Sequence, residues 1–313
     1  MSSELHSGNA AIQRSTEQDY RPLVDLWTTV FEVPAIVFEA MYESADPSTR
    51  FGFFVRDGDL IVSAVQTYVL PLRDEKGTPQ PVACIANVST RPEYRKRGHS
   101  SALLKATIAE AEARGCAWSY LFTGVPDFYA KLGWRNVHGE VVSLPVEGPA
   151  RHPHGVTVSH LSELSKISHL HSKAHEKTPL AMPRGANDWD IKIPSRIAPR
   201  LVALIPGEAY AVLKEDGTKL TIDEWSVPGD SDKHYEDLLS AALNTARERG
   251  LGEVRLNAPI TPGASSAIES LGGARRLEDG MGMARPISAE WTDERLAAMF
   301  ALPEARFSNL DTF

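Results

Sequence analysis

Four cations fall within seven residues in the stretch RPEYRKRGHSSALL, positions 91–104. Arg91, Arg95, Lys96 and Arg97 precede Gly98, and from Ser100 the apolar residues Leu103, Leu104, Ile108 and Ala111 recur at helical spacing. A basic loop that runs into a helix is a place to hold an anion. The first backbone N–H groups of a helix have no intrahelical partner, and the helix dipole puts partial positive charge there. Gly98 removes the side chain that would keep a ligand off the backbone. Ser100 and Ser101 are small and add hydroxyl donors. Strand, basic turn and helix together suit a pyrophosphate. The loop is neither a P-loop nor a dinucleotide fingerprint, since GxxxxGK and GxGxxG are both absent.

The loop stands out against the rest of the chain. The 313 residues carry a formal net charge of −8, with 42% hydrophobic and 24% charged residues. That is the balance of a soluble globular protein long enough for two domains. A net-acidic chain is a poor general binder of nucleic acid, because non-specific phosphate binding needs net positive charge. A small anionic ligand is the better expectation. The opening MSSELHSGNA lacks the apolar core of a signal peptide, and no run has the length of a membrane span. Cys84 and Cys116 sit in apolar text and read as buried thiols. Cytoplasmic location, with no membrane partner, is the expectation.

The elements that must position the loop follow from local pattern. A short strand at 11–14 precedes a helix from about Glu17 to Phe31 and a second helical stretch from Pro34. RFGFFVRDGDLIVSAVQTYVL reads as two strands around Asp57-Gly58. PVACIANVST is a strand leading into the basic loop. The helix from Ser100 ends near Gly115, a C-cap glycine. WSYLF is a strand, DFYAKLG a short helix and VHGEVVSL a strand. Residues 147–155, EGPARHPHG, read as a linker.

After the linker the pattern returns. ALLKATIAEAEARG, ending at Gly115, aligns without a gap on DLLSAALNTARERG, ending at Gly250, at an offset of 135. FYAKLGW aligns on AIESLGG at an offset of 139. The unit is a duplication whose copies differ where chemistry would be. RKRGHS is matched by DSDKHY, in which Asp230 and Asp232 would repel a phosphate, and Tyr129 is matched by Ile268. The first half keeps a candidate site; the second keeps the fold.

NVSTRPEYRKRGHSSALL resembles the acetyl-CoA-binding motif of the GNAT superfamily of N-acetyltransferases, Arg/Gln-x-x-Gly-x-Gly/Ala after a strand. Arg95, Gly98 and Ser100 take its three key places, serine being a small departure. LFTGVPDFYAKLGW resembles the family's later strand and FYxxLGF motif. The duplication with a degenerate second copy is similar to the enhanced-intracellular-survival type, although the tail after Pro286 is too short for that type's sterol-carrier-like third domain. The resemblance implies an α/β fold of the α+β type. Two tandem GNAT-like domains would each have a mixed, mostly antiparallel sheet flanked by helices. The expected division is a catalytic domain at 1–146, linker 147–155, a degenerate domain at 156–286 and a tail at 287–313.

The same resemblance implies the site. The backbone of Val88, Ser89 and Thr90 would pair with the pantetheine amides of acetyl-CoA. The loop Lys96, Arg97, Gly98, His99, Ser100 and Ser101 would hold the pyrophosphate. Arg95, Gly124 and Val125 would border the ligand, with Arg95 also able to pack on the protein. Tyr129 would be the general acid, protonating the departing thiolate. Phe128 and Leu132 would face the core. The base is open; in the survival-type relatives a terminal carboxylate enters the site, which makes Phe313 the candidate here. The acceptor, a small-molecule or peptide amine, would bind between residues 20–45 and the second domain. An amino acid or protein amino group, or a non-catalytic acyl-CoA-binding module, are the alternatives. An oligomer is possible. His171 and His175, at i,i+4 spacing without further ligand residues, read as solvated or capping, and no metal site is expected.

Overall fold

The computed structural model of the chain describes residues 5–7, 10–160 and 164–313. The first half runs β1 (Leu5–Ser7), β2 (Ala10–Arg14), α1 (Tyr20–Phe31), α2 (Ala35–Ser44), β3 (Arg50–Asp57), β4 (Leu60–Arg73), β5 (Pro79–Thr90), α3 (His99–Ala113), β6 (Trp118–Phe122), α4 (Pro126–Ala130) and β7 (Arg135–Pro145). The second half is β8 (Thr157–Ser159), α5 (Ser165–Ala174), α6 (Ile193–Ile197), β9 (Leu201–Ile205), β10 (Ala209–Asp216), β11 (Lys219–Ser226), α7 (Asp232–Glu248), β12 (Glu253–Leu256), α8 (Pro262–Ser270) and β13 (Ala274–Pro286). Its element order repeats the first half from β2 to β7. A last helix, α9 (Asp293–Phe300), opens the tail.

Local chemistry explains the boundaries. Gly58, at φ +59°, makes the two-residue turn between β3 and β4. Gly115, at φ +72°, ends α3 in the left-handed conformation that only glycine adopts cheaply. Both cysteines are buried and unpaired. The linker has no helix or strand, yet it is tied down. The Arg151 backbone exchanges two hydrogen bonds with the Asn244 side chain (3.0 and 2.8 Å), and the His154 amide donates to Asp237.

Among the described residues, thirteen strands form one sheet in the order β1-β2-β3-β4-β5-β6-β13-β7-β12-β11-β10-β9-β8. Only β5–β6 and β11–β12 are parallel. The halves exchange their last strands. Gly282–Pro286 of β13 pair with Phe122–Trp118 of β6, while Val142–Pro145 of β7 pair with Leu256–Glu253 of β12. Each half therefore finishes the other's sheet.

The sheet separates the layers. Val65, Ile85 and Leu121 face α3 and share a core with Leu103 and Leu104. Tyr68, Cys84 and Tyr120 face the other way, onto the tail residues Trp291, Met299, Phe300 and Phe307. This alternation is the period-two rule of a strand buried on both faces.

Candidate active site

The site begins where two parallel strands part. β5 and β6 pair from Val82↔Trp118 to Ile85↔Leu121 and no further. Beyond Ile85, β5 keeps β4 as its neighbour, with Ala64↔Ser89 and Ser63↔Thr90. A bulge shifts the register between Ala64 and Gln66, and Asn87 takes φ +51°. The edge of Ala86–Thr90 that would face β6 is thus released from the sheet, giving amide-like ligands a row of backbone donors and acceptors.

The basic loop closes one end of this opening. Pro92–Tyr94 form a 3₁₀ turn, and the Tyr94 hydroxyl donates to Asp57 at 2.7 Å. Lys96 and Gly98 both have positive φ, +63° and +82°, so consecutive N–H groups turn inward before α3 starts. A Cβ on Gly98 would touch no protein atom, which leaves that space for a ligand. Ser100 Oγ lies 2.7 Å from Thr90 Oγ1, and Thr90 Oγ1 lies 2.8 Å from Ser63 Oγ, so a hydroxyl chain fixes the helix start to the strand end.

The cations do different work. Arg91 is buried, pairs with Asp25 and donates to the Ile61 carbonyl, so it belongs to the scaffold. Arg95 donates to the Thr90 carbonyl at 3.2 Å. Arg97 donates to the Glu93 carbonyl and lies 4.8 Å over the Tyr94 ring. His99 is buried with its Nδ1 unpartnered among the described residues; burial, then Arg97, lowers its pKa and keeps it neutral.

A cavity of about 460 Å³ joins these parts. Val88, Thr90, Arg95 through Ser101, Val125, Phe128 and Tyr129 line it, with Val30 from α1. Most of the residues expected from sequence thus converge. The Ser89 side chain is buried on the far side of the strand from Val88 and Thr90, and its backbone alone is left for the opening. Two details differ. Gly124 is outside the lining, although its neighbour Val125 is at the rim, 62% exposed. Phe128 lines the cavity as well as touching the core.

Tyr129 is 7% exposed, on α4, with its ring edge-on to Phe128 and Trp134 (centroids 5.0 and 6.0 Å). Burial pushes its phenol up to about 12, so the hydroxyl is a standing proton donor at neutral pH. The exchanged strand braces this shelf. Met283 shares Tyr129's core, and Arg285 lies 5.1 Å over Trp134 and donates to the Leu132 carbonyl at 2.8 Å. No motif in the sequence marks Arg285 or Met283, because their partners are set by the strand exchange.

Phe313 does not line this cavity. Its ring packs 5.6 Å from Phe122 and from Phe307, and it lines two further cavities. One of about 240 Å³ lies between Met41 and Ala45 of the first half and Lys192 and Arg196 of the second, where an acceptor was expected. The other, of about 660 Å³, lies between the sheet and the tail.

His171 and His175 are buried, contrary to the solvated reading. His175 Nε2 meets the Trp225 carbonyl and Ser226 Oγ at 3.0 and 2.9 Å. His171 Nε2 is 4.0 Å from Glu224, and burial holds its pKa far below the usual value. His171, Glu224 and Asp311 are grouped closely enough for a metal ion. The positive charge is already supplied, since the buried Arg184 pairs with both Glu224 and Asp311.

Comparison with known proteins follows the same outline. Residues 11–137 match the family described as Acetyltransferase (GNAT) domain. A probable N-acyltransferase from Enterococcus faecalis superposes with a TM-score of 0.69 at 17% identity, covering 89% of this chain and 73% of its own. Eis1 from Mycobacterium abscessus gives 0.65 at 14%, covering 89% and 74%. A tandem GNAT protein from the clavulanic acid biosynthesis pathway gives 0.54 at 13%, covering 88% and 99%. The proline–tRNA ligase of Methanococcus vannielii is 28% identical over 96 residues, a segment that spans 30% of this chain and only 21% of the ligase. Residues 11–137 thus match the GNAT acetyltransferase domain, and the chain as a whole shares the fold of these tandem-GNAT structures.

Proposed function

We propose that the chain transfers an acetyl group from acetyl-CoA to an amine. The observation that carries this reading is the coincidence, in one cavity, of a released strand edge, a helix N-terminus behind a basic turn, and a protonated buried phenol. Each suits one part of the cosubstrate. The edge of Ala86–Thr90 would pair with the pantetheine amides. The inward N–H groups from Lys96 to Ser101, with the local cations, would hold the pyrophosphate. Tyr129 would stand beside the thioester.

The reaction forms a bond from the amine nitrogen to the acetyl carbon and breaks the carbon–sulfur bond. Tyr129 gives its proton to the departing sulfur. The amine gives up a proton to solvent or a base, and the phenolate recovers one in turn. The raised phenol pKa keeps this donor charged with its proton across the neutral range. Phe313 is assigned to the acceptor side, as part of the aromatic wall beyond Phe122.

The test is calorimetric titration with acetyl-CoA, followed by thiol release in the presence of amines. Binding together with amine-dependent thiol release supports the reading. Binding without thiol release for any amine supports a non-catalytic acyl-CoA-binding module instead.

A further inference from the structure

Tyr129 stands on little helix of its own. α4 has five residues, and a helix that short has no stability in isolation. Its position is fixed from behind. Leu132 N and Trp134 N both donate to the Tyr129 carbonyl, at 2.9 and 3.2 Å, so the turn at 132–134 and the Tyr129 backbone are tied together. Gly133, at φ +96°, lets the chain double back to make the second bond. Whatever holds this turn also holds the phenol.

Two groups hold it. Trp134 Nε1 donates to Ser119 Oγ of β6 at 3.2 Å. The other group is Arg285, which comes from the second half. Its Nη1 donates to the Leu132 carbonyl at 2.8 Å, and its guanidinium lies 5.1 Å over the Trp134 ring. A Cβ on Gly133 would come within 3.4 Å of Arg285 Nε, so the side chain runs along the turn. Arg285 reaches it because β13 lies beside β6, with Arg285 opposite Ser119. Period two then puts Met283 and Arg285 on the face of Tyr129 and Trp134, and Ala284 on the tail face. A planar cation with several donors meets a carbonyl and a ring face at once, which a lysine ammonium does less well.

The reciprocal exchange looks different. β7 lies beside β12 as β13 lies beside β6, and the residue opposite Val254, the match of Ser119, is Leu144. Leu144 is wholly buried in the apolar core of the second half. At the offset of 139, Trp134 is matched by Gly273 and Tyr129 by Ile268. Arginine, tryptophan, serine and tyrosine are replaced together by leucine, glycine, valine and isoleucine. The turn itself survives the change, since Gly273 N donates to the Ile268 carbonyl at 2.8 Å. The polar clamp is present in the half that has the phenol.

We infer that Arg285 is a positioning residue for Tyr129: by clamping the turn behind α4 it sets where the phenol stands against the thioester, so the degenerate half is part of the catalytic machinery of the first. The inference rests on the acetyltransferase reading above. Arg285 is outside the lining of the acetyl-CoA cavity and acts through Tyr129 alone. A displacement of about 1 Å at a reacting group costs ~10²-fold in rate.

A double-mutant cycle in the full chain tests it. Arg285→Met keeps an apolar stem beside Trp134 and removes the donor and the charge. Its kcat should fall ~10–100-fold, with acetyl-CoA affinity by calorimetry nearly unchanged, because the anion loop and the strand edge lie elsewhere. Arg285→Lys, which keeps a cation, should recover part of that loss. In a Tyr129→Phe background Arg285→Met should lower kcat no further, since the group it positions is gone. A merely structural arginine would lower the melting temperature alike in both backgrounds and leave the folded enzyme at its wild-type kcat. Wild-type kcat in Arg285→Met overturns the inference, and so do losses that multiply in the double variant. If Arg285→Met does not fold, the same cycle with Arg285→Lys decides, its own loss expected to be several-fold. Full activity of Tyr129→Phe removes the acid and this inference together while leaving an acetyltransferase. Failure to bind acetyl-CoA or to acetylate any amine removes the acetyltransferase reading itself.

Discussion

At the ends of β5 and β11 the two halves place different side chains at matched positions. With the offset of 135, Thr90 corresponds to Trp225 and Ser100 to Tyr235. In the first half the pair is two hydroxyls 2.7 Å apart, and the cavity beside them holds about 460 Å³. In the second the pair is two rings with centroids 4.6 Å apart, and about 170 Å³ remains. The strands part in the same way in both, since β11 leaves β12 after Ile222↔Leu256. The Trp225 indole then donates to the Pro259 carbonyl at 2.8 Å across that gap.

The helix starts differ in the same sense. Gly98 precedes α3 without a capping side chain, so the first N–H groups stay available. In the second half Ser231 accepts from the His234 amide to cap α7, and Asp230 accepts from the Gly263 amide at the start of α8. A ligand site exists where donors are left unsatisfied, and the second half has satisfied them internally. Its strand end serves the tail. Glu224, matching Ser89, accepts from Ser308 and pairs with Arg184, which also holds Asp311. Asp223, matching Val88, accepts from Asn309.

The largest effect should come from making the first half resemble the second. Thr90→Trp combined with Ser100→Tyr should lower acetyl-CoA affinity by ~10⁴-fold or more, about 5.5 kcal/mol, with an unchanged circular dichroism spectrum. Retained affinity in calorimetry would break the comparison.

Tyr129→Phe removes the donor that Ile268 lacks in the other copy. Its kcat should fall ~10²–10⁴-fold, with acetyl-CoA affinity nearly unchanged, as for a group that acts in the transition state. With the phenol near 12, the wild-type rate should rise with pH as the amine loses its proton and show no alkaline fall from this group until pH nears that value. A fully active variant excludes Tyr129 as the acid.

Arg184→Met tests the role of the second strand end in stability. Removing one partner leaves Glu224 and Asp311 buried without their countercharge, at ~3–5 kcal/mol. For Glu224, burial raises the pKa, but Arg184 outweighs it and the net shift is downward from 4.5. Its contribution is therefore complete above the unfolded value and is lost as pH falls through the lowered folded one. Denaturant melts against pH should show that acid limb in the wild type and a flatter one in Arg184→Met.

The smallest effect is expected from the reverse exchange. Trp225→Thr with Tyr235→Ser opens space without supplying free donors or cations, because Ser231 still caps α7 and Asp230 still accepts from the Gly263 amide. It should cost stability and create no second acetyl-CoA site; a new site would show that space alone decides.

Much of this was legible in the sequence. Apolar spacing and the glycines at 58 and 115 mark the elements, and the interval between the basic loop and FYAKLGW marks the cavity. What was hidden depends on distant partners. The four cations of the loop look alike in sequence, but Arg91 is claimed by Asp25, 66 positions away. HLHSKAH looks solvated because its neighbours are polar, yet it packs under β11 beside Arg184 and the tail. β7 and β13 read as strands whichever half they join, so their exchange, and the support Arg285 gives the Tyr129 shelf, has no local signature.

The most direct test of the account is a calorimetric titration of the intact chain with acetyl-CoA, repeated on Gly98→Asp. The carboxylate would point into open space beside the inward N–H groups, and the positive φ would add about 1 kcal/mol of strain. The account predicts one molecule bound per chain in the wild type and none in the folded variant. Two equivalent sites, or undiminished binding by Gly98→Asp, would contradict it.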